Sequence, residues 1–294
     1  MKLKLSALLT GVMLLCAGCS GEAESSVPAY VEPEETYNLT VDFLKVGKAD
    51  ATVIKTENHV VVIDCGEKTD GKKVRNCMNA LGADTVDYMI LTHYDQDHIG
   101  GAKKVVEEFN VNHILVPNYD EASKEYDNLC EAMAAKELGF EFVTSSMASF
   151  TLDDAYFEVY PCQKKSYQDG DDNNHSLVIK MIHHDKIFLF AGDAMQERLA
   201  EIMTIGDCDV LKEPYHGREL ANLGEFLDNV TPEYAIVSTD EESYSPVTAQ
   251  ALADRNIETY VTFENGNIRC TSTGSSLSFE TGLDFKGEVS DEET

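Results

Sequence analysis

The stretch LTHYDQDHIGG, residues 91–101, sets two histidines and two aspartates within the six positions His93 to His98, after an apolar strand-like run and before a glycine pair. Where a strand gives way to a loop, residues two apart point roughly the same way. His93 and Asp95 can therefore close on one ion, and Asp97 and His98 on a second. Packed together without a cation, these groups are costly, because neighbouring carboxylates raise each other's pKa and burial adds a desolvation penalty. A metal removes that conflict. Capping of a helix that starts near Ile99 accounts for one aspartate and leaves the other three residues without a part.

The flanking pattern says what kind of scaffold carries the loop. YNLTVDFLKV, ATVIKT and HVVVID are three strand-like runs, with turn signals at Gly47 and at Glu57-Asn58. A helical stretch from about Lys72 to Leu81, the strand DYMILT, the helix AKKVVEEF and the strand HILVP then alternate as β-α-β. Between Ala122 and Leu138, apolar residues recur at helical spacing (Tyr126, Leu129, Met133, Leu138), and Gly139 stops the helix. The second half repeats the theme: a hairpin SLVIKMIHHDKIFLFAGD, a helix with Met195, Leu199, Ile202 and Met203 on one face, the strand DVLKEP, a helix near Leu220 to Leu227, and closing strands. Sheet first and helices later in each half predicts an α+β sandwich of two packed sheets with helices outside, in a single domain over residues 37–282. It argues against an all-parallel doubly wound sheet.

With 294 residues, 43% of them hydrophobic, the chain can bury a sizeable core. Residues 1–18, MKLKLSALLTGVMLLCAG, have a basic start, an apolar middle and small residues at the end, the pattern of a signal peptide and too short for a membrane span. CAGCS resembles a lipobox, with Cys19 as the lipidated first residue, so the expected location is extracytoplasmic, anchored to the membrane by lipid or secreted. Residues 19–36 then form an acidic flexible tether, and residues 283–294 an acidic tail. The formal charge is −30, and −32 once Lys2 and Lys4 leave with the signal. That surface repels polyanions and excludes a broad grip on duplex DNA, which draws its affinity from Lys and Arg. Cys65, Cys77, Cys130, Cys162, Cys208 and Cys270 form no CxxC pair, so they read as small hydrophobes and not as a zinc knuckle.

THYDQDHIGG resembles the T-H-x-H-x-D-H metal motif of the metallo-β-lactamase superfamily. Aspartate at the second ligand position marks the extracytoplasmic hydrolase domain of ComEC-type DNA-uptake proteins. FLKVGKADATVI, VVVIDCG, NNHSLVIKM, and FLFAGDA with LKEPYHG resemble further segments of that branch in the expected order, over residues 41–218. The resemblance implies a metallo-β-lactamase-like αββα four-layer sandwich with the metal site at the sheet edge between its halves. It implies His93 and Asp95 as ligands of a first site, Asp97 and His98 of a second, Asp193 as the bridging carboxylate and His216 as the last histidine. The residues by themselves say less. Asp193 reads better as a helix N-cap than as a ligand, with Gln196 three residues on as in a capping box. A lone His216 before a glycine is weakly informative, and Asp64 can either end a strand or fix a histidine tautomer. The remaining first-site ligand is expected from DGDDNNHS, where Asp171, Asp172 and His175 all offer donors and Asp172 is preferred. His183 and His184 are expected to be exposed, since adjacent strand residues face opposite sides ahead of a turn at Asp185-Lys186. His59 and His113 are expected at the surface.

A mixed set of imidazoles and carboxylates suits two divalent ions, Zn²⁺ first and Mn²⁺ as competitor. Such a pair lowers the pKa of water and stabilises the negative oxygen of an attacked ester or phosphodiester. The resemblance therefore implies a metal-dependent hydrolase of a small or single-stranded phosphodiester. In that chemistry Asp97 is a candidate proton acceptor, and adjacency to His216 lets Arg218 or Tyr215 contact the oxyanion or a phosphate. Departures from the branch bear on the substrate: Lys45 and Ala49 stand where Asp and Gly are usual, and Tyr215 and Arg218 replace the first His and the Ser of H-H-G-S. Aspartate at Asp95 disfavours lactam hydrolysis. Carboxylic esters, wall-polymer phosphodiesters and a non-catalytic metal-binding surface lipoprotein stay open as alternatives.

Overall fold

A computed structural model describes residues 38–120, 122–144, 146–168 and 172–285, which lie in one compact unit, Thr36–Thr294. The expected signal segment, Cys19, the tether and the acidic tail beyond residue 285 lie outside the described residues. The strands are β1 (Leu39–Phe43), β2 (Ala51–Lys55), β3 (Val60–Cys65), β4 (Thr85–Ile90), β5 (Asn110–Pro117), β6 (Glu141–Val143), β7 (Ala148–Leu152), β8 (Ala155–Tyr160), β9 (Val178–His183), β10 (Lys186–Phe190), β11 (Val210–Lys212), β12 (Tyr234–Val237), β13 (Glu258–Val261), β14 (Asn267–Ser272) and β15 (Leu277–Leu283). The helices are α1 (Gly71–Ala80), α2 (Gln96–Ile99), α3 (Ala102–Glu108), α4 (Lys124–Ala135), α5 (Gln196–Glu201), α6 (Leu223–Val230), α7 (Pro246–Ala253) and α8 (Thr262–Asn265). Among the described residues, no helix is long and apolar enough to cross a membrane.

Two mixed sheets result. One runs β15-β14-β1-β2-β3-β4-β5-β6 and the other β13-β12-β11-β10-β9-β8-β7. In each, antiparallel hairpins occupy one side and parallel strands joined by helical crossovers the other: β3 to β6 are parallel in the first sheet, β10 to β13 in the second. The sequence of β3 shows why both faces are covered. Val60, Val62 and Cys65 pack with the helices, while Val61 and Ile63 pack between the sheets. A strand buried on both faces is apolar throughout and does not alternate. Three apolar layers follow: helices on the first sheet, sheet on sheet, and the second sheet on its helices, the last including Leu199, Phe226 and Leu252. The αββα sandwich expected from the element order is the observed architecture.

The glycine pair after the metal-rich loop answers to packing. A Cβ on Gly100 would lie 2.5 Å from the Gln96 carbonyl oxygen, and one on Gly101 2.2 Å from that of Cys65. Only glycine lets α2 and α3 close over the end of β3, which brings the loop against the strand ends. The buried Arg198 has a similar organising part. Its guanidinium donates to the carbonyls of Ser176 (3.0 Å) and Tyr160 (2.8 Å) and to Glu201 (2.9 Å), tying the loop before β9 to α5.

Candidate metal centre

The site gathers where strands end. Asp64 is the last residue but one of β3, Thr92 and His93 follow β4, Asp97 and His98 lie in the short α2 after them, Asp193 follows β10, His216 follows β11 and Ser238 follows β12; these are the carboxyl ends of strands in the parallel parts of the two sheets, where α/β sheets bind ligands. Asp64, itself in the left-handed region at φ 55°, accepts from the Thr92 amide (2.8 Å) and hydroxyl (2.7 Å) and lies 2.8 Å from His98 Nδ1. A carboxylate accepts only, so His98 Nδ1 carries the proton and Nε2 presents a lone pair. His216 Nδ1 lies 3.1 Å from the Ser238 carbonyl, which fixes the same tautomer. Thr92 Oγ1, its proton committed to Asp64, accepts from His93 Nδ1 at 3.1 Å. Three buried imidazoles thus turn Nε2 the same way.

Asp193 meets them. Its carboxylate oxygens lie 3.3 Å from His98 Nε2 and 3.1 Å from His216 Nε2; Asp97 Oδ2 lies 3.5 Å from His216 Nε2, and Asp95 Oδ2 lies 3.6 Å from His93 Nε2. Ligand atoms about 2.0–2.2 Å from a tetrahedral ion sit about 3.3–3.6 Å from one another. The Nε2 atoms of His93, His98 and His216 and Oδ1 of Asp193 are buried without a hydrogen-bond partner. Buried polar atoms are ordinarily satisfied, so the orphans of His98, His216 and Asp193, which converge at ligand spacing, fit a divalent cation, while the orphan of His93 faces Asp95.

The electrostatics agree. Burial opposes the charge on Asp193, yet the His216 and His98 imidazoles outweigh it and hold the carboxyl well below the usual range. Burial likewise opposes imidazolium, but Asp193 and Asp64 push His98 well up, and Asp193 and Asp50 push His216 up to about 10. Asp97, against its own burial, is held low by His216, His98 and Lys48. With no cation in place, a second proton on Nε2 of His98 and His216 takes the position a cation would fill; an ion bound there would displace it, so metal affinity would rise with pH.

Asp50 is the residue that reading along the chain left without a role. It is 4% exposed, donates its amide to the Asp97 carbonyl (3.1 Å), pairs through Oδ2 with the buried Lys212 ammonium and lies 3.5 Å from His216 Nδ1. Asp50, His98, Asp193 and His216 form one group with all ligand atoms within 4.8 Å. Because Asp50 faces Nδ1 and not Nε2, and one of its oxygens is taken by Lys212, it positions His216 from behind. The signal was present in GKADATVI, inside a motif whose aspartate had no independent reading.

The backbone is set to the same end. Tyr215, His216 and Gly217 are consecutively left-handed (φ 50°, 54° and 70°), a conformation that costs a non-glycine residue about 1–2 kcal/mol. A Cβ on Gly217 would lie 2.6 Å from Val237 Cγ1, which explains glycine after this histidine. Neither capping alternative is realised. Asp95 stands at the N-cap of α2 but makes no side-chain cap bond, and the N-cap of α5 is Met195, not Asp193.

Asp172 opens a 3₁₀ turn, Asp172–His175, and is not a member of the tight group. His175 is held between Tyr119 (centroids 4.5 Å) and Tyr167 (5.2 Å), and Asp171 lies outside the described residues. The same loop holds α5, since Asn174 Oδ1 accepts from the amides of Met195 and Arg198. Arg218 lies over the Tyr215 ring, 5.3 Å from its centroid; the Lys48 ammonium is 2.8 Å from Asp97, and the two cations are near enough to oppose each other. His184 is exposed as expected, but His183 is fully buried. His184 adopts φ 53°, which breaks the strand alternation on which the expectation of exposure rested. The hairpin turn is His184-Asp185, one residue earlier than expected. His59 and His113 are partly exposed and pair with Asp87 and Glu141. Among the described residues all six cysteines are free, with Cys65, Cys77, Cys208 and Cys270 buried.

Glu213, the residue immediately after β11, is fully buried with neither oxygen hydrogen-bonded, and burial pushes its carboxyl up to about 8 against the pull of Lys212. Between the ordinary 4.5 and about 8 the folded chain keeps a proton that the unfolded chain has lost. Its contribution to stability is therefore full below the lower value and declines as pH rises to the upper one, by up to about 1.4 kcal/mol per pH unit. Glu213→Gln removes this loss. Urea unfolding should show the variant more stable than wild type by on the order of 2–4 kcal/mol at about pH 9, with a much smaller difference at about pH 5.

With fold and site in place, comparison with known proteins gives the class. The profile of the Metallo-beta-lactamase superfamily matches residues 44–240, and the chain belongs to that superfamily. It is similar to ComE operon protein 3 of Bacillus subtilis (27% identity over 65% of this chain and 25% of that protein) and to Recombination protein 2 of Haemophilus influenzae (24% over 78% and 26%), which places its resemblance with the ComEC-type competence proteins. It also resembles Competence protein ComA of Neisseria gonorrhoeae, at 25% identity. The chain spans about a quarter of the length of the curated relatives it matches. Among solved structures, a provisionally assigned metal-dependent hydrolase from Parabacteroides distasonis superposes with a TM-score of 0.50 at 14% identity, covering 76% of this chain and 93% of that one. A variant of the CmlA beta-hydroxylase superposes equally well, at 0.50 and 13%, covering 82% and 54%. At these identities the structural likeness concerns the fold.

Proposed function

We propose that the protein is a metal-dependent hydrolase of phosphodiester bonds, in small or single-stranded nucleic-acid-like substrates, acting outside the cytoplasm. The convergence of the unpartnered Nε2 atoms of His98 and His216 on Asp193, with His93 Nε2 also buried and unpartnered beside Asp95, is the observation that carries this reading. His93 and Asp95 would hold one ion, and Asp97, His98 and His216 a second, with Asp193 between them and Asp172 as a further donor to the first. Zn²⁺ suits this donor set best, with Mn²⁺ next. When bound, such ions supply Lewis acidity and a water of lowered pKa.

The chain's own residues do the rest. Asp64, Ser238 and Thr92 fix the tautomers, so each imidazole meets its ion with a free lone pair. Lys48 and Arg218 place two cations beside the site in a chain of charge −30, a local inversion that suits a phosphate and offers less to a neutral ester. Asp97 is held ionised, which makes it a better ligand than base; proton acceptance, if it falls to Asp97, works against that low basicity. Anchoring to a membrane through Cys19 rests on residues 1–19 alone.

The full chain, loaded with Zn²⁺ or Mn²⁺, is to be assayed on a nitrophenyl phosphodiester, a single-stranded oligonucleotide and a nitrophenyl carboxylic ester. The expected result is chelator-sensitive cleavage of the phosphodiesters. Arg218→Ala should lower kcat/KM on them by about 10- to 100-fold and leave the carboxylic ester within about threefold. Stoichiometric metal without turnover on any ester would favour a binding protein instead.

A further inference from the structure

At the far end of the sandwich, away from the strand ends that build the metal centre, two tight turns meet. Asp153 and Asp154 join β7 to β8, and His184 and Asp185 join β9 to β10. We infer that His183, His184 and Asp154 form a second, independent site for a borderline transition-metal ion, Zn²⁺ being the simplest occupant, which clamps these turns together.

The geometry is that of a three-ligand site. Asp154 Oδ2 lies 3.3 Å from His183 Nε2 and 3.0 Å from His184 Nε2, and one ligand atom from each of the three residues falls within 4.8 Å of the other two. Zinc bonds of about 2.0–2.2 Å at tetrahedral angles put ligand atoms about 3.3–3.6 Å apart. Adjacent residues of a strand cannot both reach one ion, since their side chains leave on opposite faces. The left-handed φ of His184 swings its ring back to the side of His183, and the ring centroids are 5.0 Å apart. Left-handed backbone is uncommon outside glycine, with histidine among the residues that adopt it more readily, and a Cβ on Gly274 would lie 2.6 Å from His184 Cδ2, so the ring is seated against a glycine that leaves it room.

The surroundings orient the ligands. Ser272 Oγ, which accepts the Gly274 amide at 3.1 Å, lies 2.8 Å from His183 Nδ1. With the proton on Nδ1 donated to this hydroxyl, the Nε2 lone pair faces Asp154, the arrangement that outer partners impose on metal-bound histidine. His183 is fully buried, while the side chains of His184 and Asp154 are 41% and 22% exposed, so an ion enters from solvent and a water can complete the fourth position. An ion there would join two hairpins of one sheet, at a place where neighbouring residues already reach the other sheet. Asp153, next to Asp154, accepts from the Thr56 hydroxyl (2.6 Å) and the Asn58 amide (2.8 Å) in the β2–β3 turn, and Ser272 belongs to β14, both in the other sheet.

The experiment is a zinc count on the full chain. Wild type, His184→Ala and Asp154→Asn are equilibrated with chelator-buffered ZnCl₂, freed of excess and analysed for zinc per chain. Both variants should bind one ion fewer than wild type, with apparent affinity for that ion reduced at least about 100-fold, hydrolytic activity unchanged, and the zinc-dependent rise in melting temperature diminished. In an Asp193→Ala background, which removes the carboxylate shared by both ions of the other centre, Co²⁺ should still give the intense visible absorption of tetrahedral coordination, and adding His184→Ala should abolish it. The same zinc count in wild type, His184→Ala and Asp154→Asn would reduce the cluster to an ion pair and overturn the proposal. The comparison between wild type and the two variants decides even if the Asp193 variant does not fold. It is independent of whether the main centre hydrolyses anything.

Discussion

Asp193→Ala should strip metal from the main centre and lower phosphodiesterase kcat/KM by on the order of 10³-fold or more, equivalent to about 4 kcal/mol of transition-state stabilisation. Asp193 is the carboxylate that reaches both His98, at 3.3 Å, and His216, at 3.1 Å. Without it the two imidazoles lose the group that holds them charged in the metal-free chain, and a cation loses the donor placed between them. The folded state should survive, because His98 and His216 can shed their extra protons once Asp193 is gone, so no unpaired charge has to stay buried. Elemental analysis beside steady-state kinetics checks this. Full metal content, or activity within tenfold of wild type, would mean that Asp193 is a structural residue and the proposed centre is wrongly assembled.

Lys212→Met should cost about 3–5 kcal/mol of stability, the loss expected when one partner of a buried pair is removed and the other charge stays behind. Lys212 and Asp50 are 3% and 4% exposed, and the Lys212 ammonium, with His216, outweighs the burial that would otherwise raise the Asp50 pKa. Asp50 also ties three segments together: its amide reaches Asp97, its carbonyl accepts from Gly66 at 2.7 Å, and its side chain backs His216. For a domain of this size the melting temperature should fall by on the order of 10 °C. The double change Lys212→Met with Asp50→Asn should recover a large part of the loss, since no unpaired charge then remains. Urea unfolding of the two single variants and the double variant gives the coupling; additive losses would show that the pair does not act as a unit.

Much of the fold is local, and so it is legible along the chain. The uninterrupted apolar run of β3, the helical spacing of Tyr126, Leu129 and Met133, and the order of strands before helices in each half each report which faces are buried. The β7–β8 hairpin was present as the alternation of ASFTL and AYFEVY but is harder to separate from loop, because β7 lies at a sheet edge and half its residues are exposed. For the metal centre, the crowding of His93, Asp95, Asp97 and His98 announces chemistry because neighbours in a loop cannot escape one another. The parts of Asp193 and His216 came only through a resemblance.

What chain order alone leaves open is which distant groups face one another. Asp193 can cap a helix or meet two imidazoles, Asp50 can end a turn or stand behind His216, and His183 can be solvated or sealed under Ser272. Each choice depends on strand ends brought together by sheet pairing across the whole domain, and on left-handed backbone at Asp64, His184 and His216 that aims side chains where regular strands would not. Propensity and periodicity describe a residue's own neighbourhood. A metal site, a buried ion pair and a histidine tautomer are properties of several neighbourhoods at once, and only the folded chain supplies them.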